Sequence, residues 1–301
     1  MSTIKVGILA SYDWKLLKHC LPRIYNSSDK IVIALDIHRK TWSGNHFAFD
    51  ENEFKKLIES LDEQNKIQLY EDSFYLSELS PMECEVRERN LLARELGKGG
   101  WHIQVDCDEY FIDFEGFTRY LKKLKSNPSS KEKALNVCAY WIPLVKKLGD
   151  GYLFVKQTKQ PQSFTVATTN PKYIYGRVSE HFNHFSPFFV LHDTWARSDD
   201  AVLQKLENWG HANDFNVESY YRLWKALDED NYHYLRDCYF IKPYNAWPEL
   251  DYLRAESIDE LLIQMGNNTS SFNQTLHDKL MNYRIFARLV ELKKNIFNNS
   301  N

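Results

Sequence analysis

Two aspartates with one residue between them, Asp106 and Asp108, carry the clearest chemical potential in the chain. They follow an alternating segment, residues 101–105, that predicts a β-strand. Side chains two residues apart on a strand point the same way, so we expect the two carboxylates to face one another. Like charges this close need a proton, a basic partner or a metal. Because carboxylate oxygens suit hard divalent cations, we predict a Mg²⁺ or Mn²⁺ site that in turn holds substrate phosphates.

Three further aspartates, Asp13, Asp36 and Asp72, follow apolar segments that also predict strands. Predicted helices alternate with these strands, which favours a mostly parallel sheet with helices on both faces. In such a sheet, ligands bind beyond the carboxyl ends of the strands. We therefore expect these carboxylates to gather along the same rim as Asp106 and Asp108. The predicted strands are 4–10, 30–35, 67–70, 101–105, 134–141, 152–156, 164–168 and 188–191.

The helix expected to begin at Pro81 has the strongest start signal, a serine at position 80 and a glutamate at 83. Arg89 lies within its apolar stripe, and a cation on an apolar face needs an anionic partner. That partner is either Glu85 or a sheet carboxylate, or else a substrate pyrophosphate or the acidic rim itself. Asn90 is placed to hydrogen-bond into the same site.

His192 ends the apolar segment 188–191, and Arg197 follows within five residues. Imidazole tolerates Mn²⁺, so His192 is a candidate third ligand beside the carboxylates; a local structural partner is the alternative. A competing hypothesis makes His181, His184 and His192 zinc ligands. Their spacing is not the helical pair of a zincin and no thiolate pair is near, so we favour the carboxylate site.

The chain has 301 residues, of which 43% are hydrophobic, and this composition is typical of a folded globular protein. Its formal charge is −3. This charge argues against nucleic acid as the main partner, since duplex binding shows as a basic excess. The five cysteines are odd in number and widely spaced, which favours reduced thiols. No apolar run approaches the ~18 residues of a membrane span. We expect a cytoplasmic protein, with the inner face of the membrane as a further location.

These segments resemble those of a known family, the nucleotide-sugar-dependent glycosyltransferases with a GT-A fold, and are similar to its family-two type. The resemblance spans about residues 4–211. The matching segments are 11–13, Asp36, Arg89-Asn90, 105–109, 191–197 and 205–211.

The helical pattern that continues after the matching segments predicts a helical C-terminal extension. The resemblance implies an α/β GT-A fold, with a mixed, mostly parallel sheet flanked by helices. It further implies metal ligands and donor-binding residues. The implied metal ligands are Asp106, Asp108 and His192. The implied donor-binding residues are Ser11, Asp13, Asp36, Asp72, Arg89, Asn90, Asp106 and Arg197.

An inverting enzyme of this type also needs a base that deprotonates the acceptor hydroxyl. The candidates are Asp193, Glu180 and Asp150, and the sequence does not choose among them. A retaining enzyme would need none of the three as a base. The resemblance favours inversion.

We divide the chain into a nucleotide-binding half (residues 1–125), an acceptor-binding half (126–240) and a helical extension (241–301). A helix predicted over 276–297 has a basic end containing Arg284, Arg288, Lys293 and Lys294. Packing on the catalytic domain is the favoured role for this helix. Peripheral contact with a membrane is the alternative.

The sequence thus predicts a metal-dependent glycosyltransferase that moves a sugar from a nucleotide-diphosphate donor to a glycan or lipid-linked acceptor. A nucleotidyltransferase is the first alternative, because it would use the same acidic rim but release pyrophosphate. A non-catalytic sugar-binding protein on the same fold is the second. The sequence predicts no oligomeric state.

Overall fold

The computed structural model describes residues 2–126, 128, 133–156, 161–238, 247–269 and 272–290. In the first half of the chain, strands and helices alternate in the predicted order as far as β4, and a short strand that was not predicted, β5, follows β4 directly. The elements are β1 (Ile4–Ala10), α1 (Leu17–Ile24), β2 (Lys30–Asp36), α2 (Glu51–Leu61), β3 (Ile67–Asp72), α3 (Pro81–Glu95), β4 (Trp101–Asp106), β5 (Glu109–Phe111) and α4 (Phe114–Leu124).

The second half contains longer strands than the sequence pattern predicts. β6 runs on to residue 148 rather than ending at 141, and β9 begins at 182 rather than 188. The elements are β6 (Leu135–Leu148), β7 (Gly151–Val155), β8 (Ser163–Thr168), β9 (Phe182–His192), α5 (Asp199–Asn208), α6 (Val217–Ala226), β10 (Arg236–Cys238), β11 (Trp247–Arg254), α7 (Ile258–Thr269) and α8 (Leu276–Met281).

Helix α3 begins where the sequence predicts, with the full capping box. The Ser80 side chain accepts a hydrogen bond from the Glu83 backbone, and the Glu83 side chain accepts one from the Ser80 backbone. Two of the free N–H groups at the helix start are satisfied in this way. The capping box therefore determines where the helix that carries Arg89 begins.

The strands form one sheet in the order β10-β11-β7-β6-β8-β4-β1-β2-β3, and β9 pairs with β5 and β6. The β4-β1-β2-β3 part is parallel throughout. The remaining pairs are antiparallel except β6 with β9. The mixed α/β class is confirmed, whereas the specific GT-A assignment stays a prediction.

Strand β4 is buried on both faces. Trp101, Ile103 and Val105 pack in the main core, as predicted. His102 and Gln104 on the opposite face are also buried, at 1% exposure each. Helices cover both faces of a parallel sheet, so a central strand has no solvent side. The end of β4 is therefore where its polar groups reach a cavity.

The segment 241–301, which we expected to be helical, contributes a strand. β11 pairs with β7 in the sheet, and helices α7, α8 and 284–290 follow it. Lys293 and Lys294 lie outside the described residues. Among the helices described, none is both long and apolar enough to cross a membrane. The division of the chain into three parts and the membrane contact stay predictions.

Candidate functional site

A cavity of ≈ 850 Å³ opens beyond the carboxyl ends of β1 and β4. At this point the order of the strands reverses, because β2 and β3 lie on one side of β1 and β4 lies on the other. Open α/β sheets bind their ligands in such a crevice. The end of β1 contributes Ser11 to the lining, and the end of β4 contributes Asp106. The topology and the cavity therefore indicate the same place for a ligand.

The structure brings together one group of the predicted site residues and leaves another outside the cavity. The residues that line the cavity are Ser11, Asp13, Asp36, Arg89, Asp106, Asp108 and His192. Those that do not line it, within the described part of the chain, are Asp72, Asn90, Asp150, Glu180, Asp193 and Arg197.

The carboxylate of Asp108 holds two buried cations. Its Oδ2 accepts hydrogen bonds of 2.5 Å from Arg197 Nη2 and from Lys205 Nζ. His192 Nε2 lies 3.6 Å from the same oxygen, because the pairing of β5 with β9 sets Glu109 opposite His192. Burial raises the pKa of Asp108, but the charges of Lys205, His192 and Arg197 outweigh it and leave the pKa well below its usual range.

The carboxylate of Asp106 lies between two arginines. Arg89 Nη2 and Arg177 Nη2 are 3.1 and 3.2 Å from its Oδ2. Arg89 also donates from Nε to Glu85 at 2.9 Å, so both of its expected protein partners are present. Burial raises the pKa of Asp106, but the charges of Arg89 and Arg177 outweigh it, and the pKa is lowered.

Arg177 is a site residue that the sequence reasoning missed. It lies in the loop before β9 and donates to Glu109 at 2.5 and 2.8 Å. Glu109 is fully buried, and Trp141 Nε1 also donates to it at 3.0 Å. Because Arg177 lies in a loop, no periodic pattern in the sequence identifies it. The sequence signal that could have indicated such an arginine was Glu109, since a buried carboxylate requires a cationic partner.

Asp13 lies just after β1 and faces Arg197, whose Nη1 is 3.4 Å from its Oδ2. Burial raises the pKa of Asp13, and the charge of Arg197 offsets only part of the rise. Arg197 itself does not line the cavity, so it acts there through the two carboxylates it pairs with, Asp13 and Asp108. The helix α5 that follows Arg197 supplies Lys205.

Asp36 was predicted to contact the donor, and it organises two loops instead of presenting free oxygens. It is 4% exposed, and both of its carboxylate oxygens accept backbone N–H groups. The donors are the backbone nitrogens of His38, Lys40, Phe74 and Tyr75. The side chain thus fixes the shape of the cavity edge.

Asp72 and Asn90 also make local contacts. Asp72 accepts from the Tyr70 hydroxyl at 2.7 Å and from the next backbone N–H. Asn90 exchanges hydrogen bonds with the backbone of Tyr173, at 2.9 and 3.0 Å, and so ties the loop before β9 to α3. The sequence pattern could not separate these structural roles from ligand contacts, since a polar side chain beside the predicted site can serve either purpose.

The three predicted base candidates lie away from the cavity for different reasons. Asp150 is exposed in the turn between β6 and β7 and accepts a hydrogen bond of 2.5 Å from the Tyr252 hydroxyl. Glu180 is exposed in the loop before β9. Asp193 is 3% exposed, and its carboxylate accepts from the Ala196 backbone at 3.2 Å.

The antiparallel half supplies an aromatic wall that we define as Tyr140, Trp141 and Phe164. The rings of Trp141 and Phe164 stack at 4.2 Å with an interplanar angle of 11°. The guanidinium carbon of Arg177 lies 4.9 Å from the Phe164 ring centre. The aromatic wall therefore contacts Arg177, the arginine that pairs with Asp106 and Glu109.

Glu88, another cavity residue that the sequence reasoning missed, has a strongly perturbed acidity. It is 5% exposed and accepts a hydrogen bond of 2.6 Å from Trp42 Nε1. Burial raises the pKa of Glu88 from 4.5 to about 8, and the indole contact offsets only part of the rise. The pKa of Glu88 therefore lies well above that of an ordinary glutamate.

Cations of the chain itself surround two of the predicted metal ligands. Asp106 and Asp108 are each paired with two cations of the chain, and these cations stand where a metal would bind. Over the described ranges, no three His, Cys, Asp or Glu side chains are grouped so that they could hold an ion. The metal stays a prediction.

The histidines of the zinc hypothesis have separate partners. His184 Nε2 contacts the Tyr120 hydroxyl at 2.6 Å, and His181 Nε2 contacts the backbone oxygen of Asn170 at 3.0 Å. His192 lies beside Asp108. The local partners of His181 and His184 agree with a structural role for both.

No protein-family model and no curated protein sequence matches this chain. Among solved structures, 4-diphosphocytidyl-2C-methyl-D-erythritol synthase is a neighbour with a TM-score of 0.31 and 11% sequence identity. The match covers 55% of this chain and 74% of that one.

Proposed function

We propose that this chain is a glycosyltransferase that uses a nucleotide-diphosphate sugar as its donor. The observation that supports this proposal is one cavity, at the switch point of the sheet, lined by both buried cations and aromatic rings. Breaking a sugar–phosphate bond develops negative charge on the departing diphosphate, and fixed cations lower the barrier by stabilising that charge. Arg89 and Lys205 are cations that line the cavity beside the acidic residues.

Arg89 has donor capacity that the protein leaves unused. Its side chain is 2% exposed, and its Nη1 has no hydrogen-bond partner among the described residues. A buried N–H group without a partner is unfavourable by about 1–3 kcal/mol, and by more on a charged group. A ligand oxygen bound at Nη1 would remove this penalty, which favours an anionic ligand.

The two halves of the fold then serve different parts of the substrates. The parallel half, with Ser11 and Asp13, receives the nucleotide. The aromatic wall of the antiparallel half receives sugar, since the C–H face of a sugar ring packs against aromatic rings. A volume of ≈ 850 Å³ lies within the range of roughly 300–1,000 Å³ of small-molecule sites.

An inverting mechanism needs a base within hydrogen-bond reach of the acceptor hydroxyl. Asp193, Glu180 and Asp150 do not line the cavity, and the proposal therefore gives them no part in the chemistry. Asp13 and His192 line it, and each has a side chain able to take a proton. The proposed acceptor is a glycan or a lipid-linked sugar. Because sugar rings pack against aromatic rings, the proposal puts the acceptor against the aromatic wall.

Thermal-shift and product analysis with a panel of nucleoside diphosphates and nucleotide sugars test this function. A ligand that binds only the folded chain stabilises it, by about 2.7 kcal/mol when the ligand is in hundredfold excess over Kd. The melting temperature of the protein rises as a result. We expect one nucleoside diphosphate to raise it and the matching nucleotide sugar to be hydrolysed slowly. If no member of the panel shifts the melt, with or without Mn²⁺, the proposal is wrong.

The released product separates the two alternatives. A nucleoside diphosphate indicates glycosyl transfer, whereas pyrophosphate would reassign the chain as a nucleotidyltransferase. Sugar binding without turnover would make it a binding protein.

Two arginines of α3 give a matched pair of variants. Arg89→Met should abolish the nucleotide-dependent shift, while Arg94→Met, an exposed position on the same helix, should leave it unchanged. Arg89→Lys keeps a positive charge and should retain part of the shift. Far-UV circular dichroism of each variant confirms that the fold is intact.

A further inference from the structure

The acidic pair that predicted a metal is neutralised by cations of the chain itself. Asp108 Oδ2 accepts from Arg197 and Lys205, and Asp106 Oδ2 accepts from Arg89 and Arg177. We propose that this site holds the diphosphate of its donor without a divalent cation, and that Lys205 occupies the place a metal would take. The identity of the anion as a donor diphosphate rests on the proposed function, while the exclusion of a metal does not.

Arg197 is held in place from several sides. Besides its contacts with Asp108 and Asp13, it donates from Nε and Nη2 to the backbone oxygen of Asp193, at 3.2 and 2.9 Å. A guanidinium bound on both edges cannot turn away without breaking these contacts. The positive charge next to Asp108 is therefore permanent.

Lys205 is fixed by its helix and by the packing around it. It is 5% exposed, and its Nζ lies 5.4 Å from the centre of the Trp195 ring. Moving the ammonium away from Asp108 would leave the buried positive charge of Lys205 without this carboxylate, which is strongly unfavourable. The ammonium therefore stays at the carboxylate and lines the cavity.

A divalent cation would have to enter beside these two fixed charges. At low local dielectric, repulsion between like charges a few ångströms apart is much stronger than in water. Mg²⁺ and Mn²⁺ also require carboxylate oxygens with free lone pairs, and Oδ2 of Asp108 already accepts two short hydrogen bonds. Oδ1 of Asp106 accepts no hydrogen bond among the described residues, but it is buried 3.1 Å from Arg89 Nη2, whose positive charge opposes a second cation there. The energetics therefore favour an anion, not a metal, as the next group in the cavity.

The cations retain donors for such an anion. An ammonium carries three N–H groups, and Asp108 takes one of those on Lys205. Nη1 of Arg89 has no partner among the described residues. Two buried cations that line one cavity thus offer N–H groups to phosphate oxygens, which is the role that a metal has in a metal-dependent transferase.

The exclusion of the metal is tested on the wild-type chain with Mn²⁺ alone. Electron paramagnetic resonance reports free Mn²⁺, and we expect its signal to remain undiminished when the protein is added. Stoichiometric binding of Mn²⁺ that Asp106→Asn removes would overturn the inference. This result does not depend on whether the chain is a glycosyltransferase.

The phosphate role is tested by calorimetry with inorganic pyrophosphate in the presence of EDTA. We expect binding that Lys205→Met weakens about tenfold or more, as for the loss of a charged hydrogen bond. Lys205→Arg should restore most of it, and Lys225→Met, an exposed control on α6, should leave it unchanged. Binding that requires Mn²⁺, no binding at all, or no effect of Lys205→Met would each overturn the inference.

The two proposals can fail separately. Pyrophosphate binding without a metal, together with no response to any nucleotide sugar, would retain the cation site and refute the glycosyltransferase. Turnover of a nucleotide sugar that EDTA abolishes would do the reverse.

Discussion

Replacing Glu88 with glutamine should remove a pH-dependent loss of stability. Below its ordinary pKa of 4.5, Glu88 is protonated in both the folded and the unfolded chain. Above 4.5 the unfolded chain releases the proton, while the folded chain retains it until about pH 8, because burial raises the pKa. The unfolded state then binds fewer protons, so stability falls as the pH rises through this window.

The size of the effect follows from the two pKa values, 4.5 and about 8. At 1.36 kcal/mol per pKa unit, linkage gives a loss of up to about 3.5 kcal/mol between about pH 5 and about pH 8. A glutamine at this position has no charge to bury and keeps an oxygen that can accept from Trp42 Nε1. The Glu88→Gln variant should therefore be stabilised relative to the wild type by an amount that grows over this range.

Urea unfolding at several pH values, followed by tryptophan fluorescence, measures the difference. Glu59→Gln, at an exposed position on α2, is the control and should show a constant difference from the wild type. If the difference between Glu88→Gln and the wild type is also constant from about pH 5 to about pH 8, then Glu88 titrates as an ordinary glutamate and the argument from burial is refuted.

Two further substitutions test the packing around the site. Asp108→Asn should destabilise the fold by about 3–5 kcal/mol in urea unfolding, because Arg197 and Lys205 would remain buried without their shared carboxylate. Asp230→Asn, in an exposed loop, should change stability by less than about 0.5 kcal/mol, and an equally small effect at 108 would contradict the ion-pair description. Gly100→Ala should lower the melting temperature, since Gly100 has a φ of +73° and a Cβ there would lie 2.6 Å from the Thr3 backbone oxygen. Gly266→Ala, inside α7 with its nearest contact at 3.6 Å, should raise it, and the same sign for both glycines would contradict the backbone argument.

Local sequence signals predicted the parallel half of the fold well. The apolar run Ile4–Ala10 has the predicted bounds, and Ser80 caps α3 as expected. These signals depend on residues close together in the chain, such as a capping box or an alternating pattern. The same signals failed for β6, whose 14 residues bury both alternating faces over much of the strand.

The candidate site also contains residues that local sequence signals predicted and residues that they did not. Its carboxylates were predictable, since Asp106 and Asp108 directly follow a recognisable strand and strand ends share one edge of a parallel sheet. Their partners were harder to predict. Arg177 and Glu109 are 68 residues apart, and Lys205 and Asp108 are 97 residues apart.

Hydrophobic period and helix caps are local properties of the chain, so the alternation of strands and helices, and with it the acidic edge of the sheet, can be predicted from the sequence alone. The groups that neutralise this edge come from tertiary contacts. The pairing of β5 with β9 and the packing of α5 bring His192 and Lys205 to Asp108, where buried carboxylates must find opposite charge. No local pattern carries that information, because the choice between a metal and a lysine depends on contacts between segments far apart in the chain.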